Sequence, residues 1–233
     1  MAFRKKTEAA LAFKPDLIVL QENEDPAKFP EEFLELYPNY IFKGQNPNKG
    51  IALLAKEDFQ LSLVPDYTGY HKYIVPVQVK SENSSFILFA IWAQDNKKEP
   101  HKRYIGQVWL ALQKFKAYLR QPSILVGDFN GNSIWDRGKK RSKRVADFTQ
   151  VVKYLERRDI YSLYHQQTKE AFGEESQLTL ALLKNLAKPF HLDYCFVSKE
   201  FLPESQIEIG KPEDWLKLSD HMPLIIDLPA IKV

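Results

Sequence analysis

The run Ser123-Ile124-Leu125-Val126-Gly127-Asp128-Phe129-Asn130 decides how this chain is read. Its first four residues make a short strand buried on both faces, and Gly, Asp and Asn all suit the turn that follows. A carboxylate and an amide therefore sit where a strand ends, free to reach a cleft while the backbone stays in the sheet. Taken alone, the run is an ordinary turn. Working outward, the pattern recurs. Residues 17–20 (LIVL) read as another short, fully buried strand running into Gln21-Glu22. Asp193 lies in the strand of residues 191–197 (HLDYCFV), and Asp220-His221 opens the strand of residues 222–228. Four such signals in order at strand ends are not demanded by structure.

The remaining pattern is strand-rich. Strands are expected at residues 40–42, 50–54, 59–64, 73–79, 86–93 (FILFAIWA), 178–182 and 207–209. Helical spacing covers residues 2–14, 30–37, 101–119 and 142–156, the first halted by Pro15 and the second with proline near its start. Few helices and strands buried on both faces predict two sheets packed face to face with helices outside, a layered α/β arrangement. No glycine-rich phosphate loop follows a strand. Without repeats or a Gly/Ser-rich linker, residues 1–233 are expected to form one domain.

Composition narrows the class. Apolar residues make up 44 % of 233, ample for a core. No apolar run approaches the ~20 residues that cross a bilayer, and the charged N-terminus lacks a signal segment. Cys195 is the sole cysteine, which excludes an intramolecular disulfide and a thiolate metal site. A monomer in a reducing cytoplasm is the expectation. The net charge of +3 is too small to imply a polyanionic partner by itself.

Oxygen ligands suit a hard cation such as Mg²⁺ or Mn²⁺, which usually takes a few carboxylates plus water. An Asp beside a His supplies a group that titrates near neutrality, tunable by a third carboxylate that fixes the ring.

LIVLQE, GDFN, LDY and SDH-x-P, in this order over nearly the whole chain, resemble the endonuclease/exonuclease/phosphatase superfamily. That superfamily includes pancreatic deoxyribonuclease, apurinic endonucleases, sphingomyelinases and inositol-polyphosphate phosphatases. GDFN with SDH-x-P is specific as a pair. The resemblance implies a four-layer α/β sandwich with two packed mixed β-sheets and helices outside. It makes Glu22 the primary metal ligand, with Asp220 supporting metal and phosphate. Asp128 would orient the attacking water or bind a second metal, and Asn130 would bond the scissile phosphate. His221 would be the base or a phosphate-contacting imidazole, oriented and charged by Asp193.

Two departures accompany the resemblance. Members open with a strand carrying a Trp-Asn pair, and none precedes Leu17, so Met1 is expected to be an internal methionine of a longer natural protein. Many nucleases of the family carry a His, Tyr or Asn around the strand of residues 86–93. Here Trp92, Gln94 and Asp95 stand there; Gln94 is a candidate for bonding a phosphate oxygen and Trp92 is expected in the core.

Two basic clusters follow strands that lead to the site. They are Lys97, Lys98, Lys102 and Arg103, then Arg137, Lys139, Lys140, Arg141, Lys143 and Arg144. A cationic rim beside a phosphoester site suits nucleic acid. Trp135 is a candidate for stacking on a base. No exposed apolar loop suggesting membrane insertion is expected, and His165 and His191 read as structural. The first reading is a metal-dependent nuclease. Its alternatives are a phosphatase or phosphodiesterase acting on a small or lipid phosphoester, and a catalytically weakened binding module.

Overall fold

Apolar runs without alternation become the strands at the centre of the molecule. The computed structural model of the chain describes residues 3–69, 71–136 and 144–230. Six strands form the larger sheet: β4 (Gln60–Leu63), β5 (Ile74–Lys80), β6 (Ser85–Trp92), β7 (Ser123–Asp128), β11 (Asp193–Ser198) and β8 (Ile160–Ser162), in that spatial order. All its pairs are antiparallel except β6–β7. A parallel pair needs a long crossover, and α3 (Ile105–Lys114) lies within it. Facing this sheet are a three-stranded antiparallel sheet and a two-stranded one. The first orders β1 (Leu17–Asn23), β3 (Lys49–Ala55) and β2 (Asn39–Asn46); the second pairs β12 (Gln206–Ile209) with β13 (Leu224–Asp227). A short pair, β9 (Leu180–Ala181) and β10 (Pro189–Phe190), lies between β8 and β11 in sequence.

Strand alternation sorts the side chains into three clusters and hence four layers. Phe89, Ile91, Leu125 and Phe196 pack against Val108 and Leu112 of α3 and against Val151 and Leu155 of α4 (Phe148–Glu156). On the opposite face, Val77, Leu88, Ile124 and Val197 pack against Leu53, with Leu17, Val19, Leu224 and Ile226 at the margin. Ile18 and Leu54 turn away from that core toward Phe3, Phe29, Phe33 and Tyr37. These lie near α1 (Thr7–Leu11) and α2 (Glu31–Leu36). Cys195 is wholly buried, and burial pushes its thiol up to about 12.

Several boundaries differ from the sequence reading. Of Leu17 to Leu20 only Ile18 is buried, because β1 is an outer strand of its sheet. The helix expected over residues 142–156 starts at Phe148, where Asp147 and Gln150 form a reciprocal cap; residues 142 and 143 lie outside the described residues. The helix expected over residues 101–119 is cut to α3, because the Tyr104 N–H bonds the Gln94 carbonyl at 2.7 Å and Tyr104 takes φ +50°. The first helix shrinks to α1 because a 3-10 turn at Phe3–Lys5 turns Phe3 onto Phe29 and Phe33. The strand of residues 178–182 is reduced to β9. The elements β8, β10, α5 (Leu163–Thr168) and α6 (Pro212–Trp215) were not foreseen, being too short to show a period.

Candidate active site

Each chemical group is aimed by a local break in regular structure. The register of β1 against β3 shifts between Leu20 and Asn23, and Glu22 sits in that bulge with φ +53°. A bulge re-aims a side chain out of its strand. Glu22 Oε2 meets Lys49 Nζ at 3.1 Å, and the same ammonium lies 5.2 Å from the ring centre of Trp92, which is buried as expected.

Gly127 permits the next step. Its φ is +131°, and a Cβ there would lie 2.1 Å from the Ile91 carbonyl oxygen and 2.6 Å from Gln21 Nε2. Only glycine fits where β7 passes so near β6. Gly127→Ala is therefore expected to cost at least ~2 kcal/mol, from overpacking against backbone plus a strained φ. Denaturant unfolding checks this; an unchanged midpoint would contradict the close approach.

Asp128 and Asp193 are directly opposite in the β7–β11 ladder. The backbone N–H of Asn130 donates to Asp128 Oδ1 at 2.8 Å, and its Nδ2 donates to Asp128 Oδ2 at 2.7 Å and to the Ala93 carbonyl at 2.9 Å. Turning the amide over would set Oδ1 against two acceptors, so the assignment is fixed by the network. Both Asn130 amide hydrogens are thus spent on the protein. A phosphate oxygen accepts only, so in this arrangement Asn130 locks Asp128 rather than offering a donor to the phosphate. Its φ of +45° is one that asparagine tolerates.

His221 joins the pair from another element. Its Nδ1 lies 2.9 Å from Asp193 Oδ2, the ring is 37 % exposed, and its backbone forms a bridge to Leu180. A carboxylate accepts only, so Nδ1 carries the hydrogen and Nε2 is left for a substrate. Burial opposes the charge on His221, but Asp193, Asp128 and Asp220 together raise its pKa to about 9. Burial, then the Asp193 charge, pushes Asp128 up to about 8, with His221 pulling the other way. The field of Glu22 also reaches Asp128. Glu22, Asp128, Asn130, Asp193, Asp220 and His221 thus share one neighbourhood despite their separation in sequence.

A family model described as the Endonuclease/Exonuclease/phosphatase family matches residues 4–221. The chain belongs to this family. Solved structures agree with the fold. An AP endonuclease from Archaeoglobus fulgidus superposes with a TM-score of 0.69 at 18 % identity, covering 98 % of this chain and 96 % of that one. A 3′ phosphatase from Neisseria bound to a product DNA hairpin gives 0.67 at 16 % identity, covering 97 % and 94 %. A truncated TDP2 from Caenorhabditis elegans gives 0.65 at 14 %, covering 97 % and 90 %. As a member of the Endonuclease/Exonuclease/phosphatase family, the chain is a phosphoester hydrolase.

Three site residues escaped the sequence reading. Thr179 is fully buried, and its hydroxyl accepts the N–H groups of Leu192 and Asp193 at 2.8 and 2.9 Å. Its own carbonyl accepts from Met222 N at 2.7 Å, so one threonine ties the Asp193 and His221 segments together. A polar residue inside QLTLA was the available signal. Lys49 and Lys6 had none. Burial lowers the Lys6 ammonium, while the charges of Asp220 and Glu22 oppose that.

Other candidates fall less centrally. The Gln94 backbone carbonyl accepts from Tyr104 N and Gln107 Nε2, beside the Ala93 carbonyl that Asn130 holds. Trp135 is partly exposed, 5.7 Å from the ring of Phe190. Lys97 and Lys98 are exposed, whereas Lys102 is paired with Glu99. Arg137, Lys139, Lys140, Arg141 and Lys143 lie outside the described residues. His165 and His191 are buried and hydrogen-bonded. One expectation is corrected: an apolar loop is exposed. Leu183 is 78 % exposed, with Leu182 and Leu186 beside it, on the segment joining β9 to β10. A tight turn with Leu183 and Lys184 both at positive φ presents these side chains outward. Among the described residues, no helix is long and apolar enough to cross a membrane.

Proposed function

We propose that this hydrolase is a divalent-metal-dependent phosphodiesterase whose substrate is nucleic acid. The observation that carries the reading is the hydrogen-bonded His221–Asp193 pair lying in the field of Asp128 and Asp220, with Glu22 nearby. Glu22, Asp128 and Asp220 would hold Mg²⁺ or Mn²⁺. Among the described residues no three carboxylate, imidazole or thiol groups are gathered closely enough to cage an ion. An all-oxygen donor set with room for water nevertheless fits Mg²⁺, which is bound through one or two carboxylates. When bound, such an ion neutralises charge on phosphoryl oxygens and acidifies water.

The protein groups divide the rest. With a pKa of about 9, His221 carries both protons at neutral pH, so Nε2–H donates to a phosphoryl or departing oxygen. Asp193 fixes the ring and its tautomer. Asp128, held at both oxygens by Asn130, is placed to orient the attacking water and take its proton. Lys49 and the basic run of residues 137–144 would supply electrostatic affinity for the polyanion, and Gln94 and Trp135 would line its path. A monomer in a reducing cytoplasm completes the proposal.

The exposed Leu182-Leu183 turn favours a second reading, a lipid phosphodiester, since apolar side chains flanked by Lys184 and Lys188 suit an interface. One experiment separates them. With Mg²⁺, plasmid and oligonucleotide DNA or RNA should be cleaved, and inositol phosphates and lipid phosphodiesters in vesicles spared. Turnover of the lipid or small phosphoester alone would overturn the nucleic-acid reading.

A further inference from the structure

A second set of buried polar groups lies beneath the site, and the chemistry above uses none of it. Glu175, with a side chain only 4 % exposed, accepts from Gly173 N at 3.0 Å and from Asn132 Nδ2 at 3.1 Å. His165 Nε2 stands 3.3 Å from the same carboxylate, and its Nδ1 is 2.7 Å from Ser162 Oγ. The order Ser–His–Glu is not a nucleophilic triad: Ser162 is 3 % exposed and paired within the sheet opposite Phe196.

The link to the site runs through Asn132, two residues beyond Asn130 on the same loop. Its Nδ2 lies 3.0 Å from the His191 carbonyl and 3.0 Å from Tyr194 Oη, while its Oδ1 accepts from Ile134 N. Tyr194 Oη in turn donates to the His191 carbonyl at 2.9 Å. His191 and Tyr194 lie on either side of Asp193 in sequence, so one amide grips the strand around that aspartate. We propose that Asn132 and Glu175 are positioning residues that hold Asp193 in register under His221, which rests on the phosphoesterase reading of that site.

The choice of a charged anchor follows from the geometry. Burial alone would favour the neutral acid, yet bonds from His165, Gly173, its own backbone and Asn132 bring Glu175 down to about 2. An ionised carboxylate makes shorter and stronger bonds than a neutral amide. The Asn132 amide, bound to it, cannot turn over without setting its own oxygen against the Glu175 carboxylate and the His191 carbonyl, and its NH2 against the Ile134 N–H. Motion of the loop after β7 against β11 is thereby restrained through the His191 carbonyl and Tyr194. Supporting groups of this kind typically change activity without touching the reacting atoms.

Asn132→Ala should lower kcat by ~10–100-fold, the scale of a lost supporting bond, with KM within about 3-fold. A readout without substrate accompanies it: the low-field imidazole N–H proton signal of His221, reporting its bond to Asp193, should broaden or disappear in the folded variant. Glu175→Gln, which keeps the shape and removes the charge, should move both readouts the same way by less. If Asn132→Ala fails to fold, Glu175→Gln decides by the same two measurements. Variants that only melt lower, with kcat and the N–H signal unchanged, would reduce the network to core packing and overturn the proposal. Should the parent protein hydrolyse no phosphoester, the function reading fails separately and the N–H signal alone judges this one.

Discussion

His221→Ala is expected to lower turnover by ~10²–10⁴-fold, the range for a positioned acid–base group. The ring is partly exposed, and among the described residues its side-chain hydrogen bond goes to Asp193 alone, so its removal should cost the core little. The folded state should survive, which circular dichroism would show beside the kinetics. The pH profile adds a sign. Asp128, raised to about 8, must lose its proton to accept one from water, so kcat rises with pH through that region. His221, raised to about 9, must keep its proton to donate, so kcat falls again above it. The two limbs together make a narrow bell. A bound divalent cation favours the ionised carboxylate and shifts the rising limb to lower pH. Stability follows the same group: the His221 contribution is full below its unfolded pKa and is lost as pH rises through 9. An Ala variant with the parent rate would remove His221 from the chemistry.

Glu22→Gln should abolish the metal-dependent rate, a loss of ~10²-fold or more if several kcal/mol of charge stabilisation go with the ion. The bulge in β1 aims this carboxylate at the neighbourhood of Asp128, and no other acidic side chain of β1 can replace it. Titration calorimetry with Mg²⁺ should show weaker binding in the variant, apart from any kinetic effect. Lys49 would lose its ion-pair partner, so affinity for a polyanion should hold or rise while turnover falls. Full activity of the parent in excess chelator would be decisive against the assignment.

The parts of the molecule legible in sequence were those written in residue type. LIVL, FILFAIWA and SILV are apolar without alternation, so they could only be strands covered on both sides or at an edge, and GDFN marked a strand end. What the letters did not carry was which strand lies outermost. LIVL looks as interior as SILV, yet the sheet order leaves it half-covered. Asn130 shows the same limit. Its type points to the site, but only the ring of acceptors around it tells that its hydrogens already serve Asp128 and Ala93. Thr179, Asn132 and Glu175 act through partners distant in the chain, and no local pattern separates such a residue from a surface one.

Cys195 gives the strand that carries Asp193 its own reporter. Only the thiolate attacks a thiol reagent, and this thiol sits on β11, paired with β7 and wholly buried, with ionisation pushed up to about 12. Labelling therefore waits for β11 to leave the sheet. Because the chain has a single cysteine, one chromophore released per molecule counts one opening event, with no engineered probe and no background from other sites. The modification rate, followed against denaturant, converts the central sheet into a clock for its own separation.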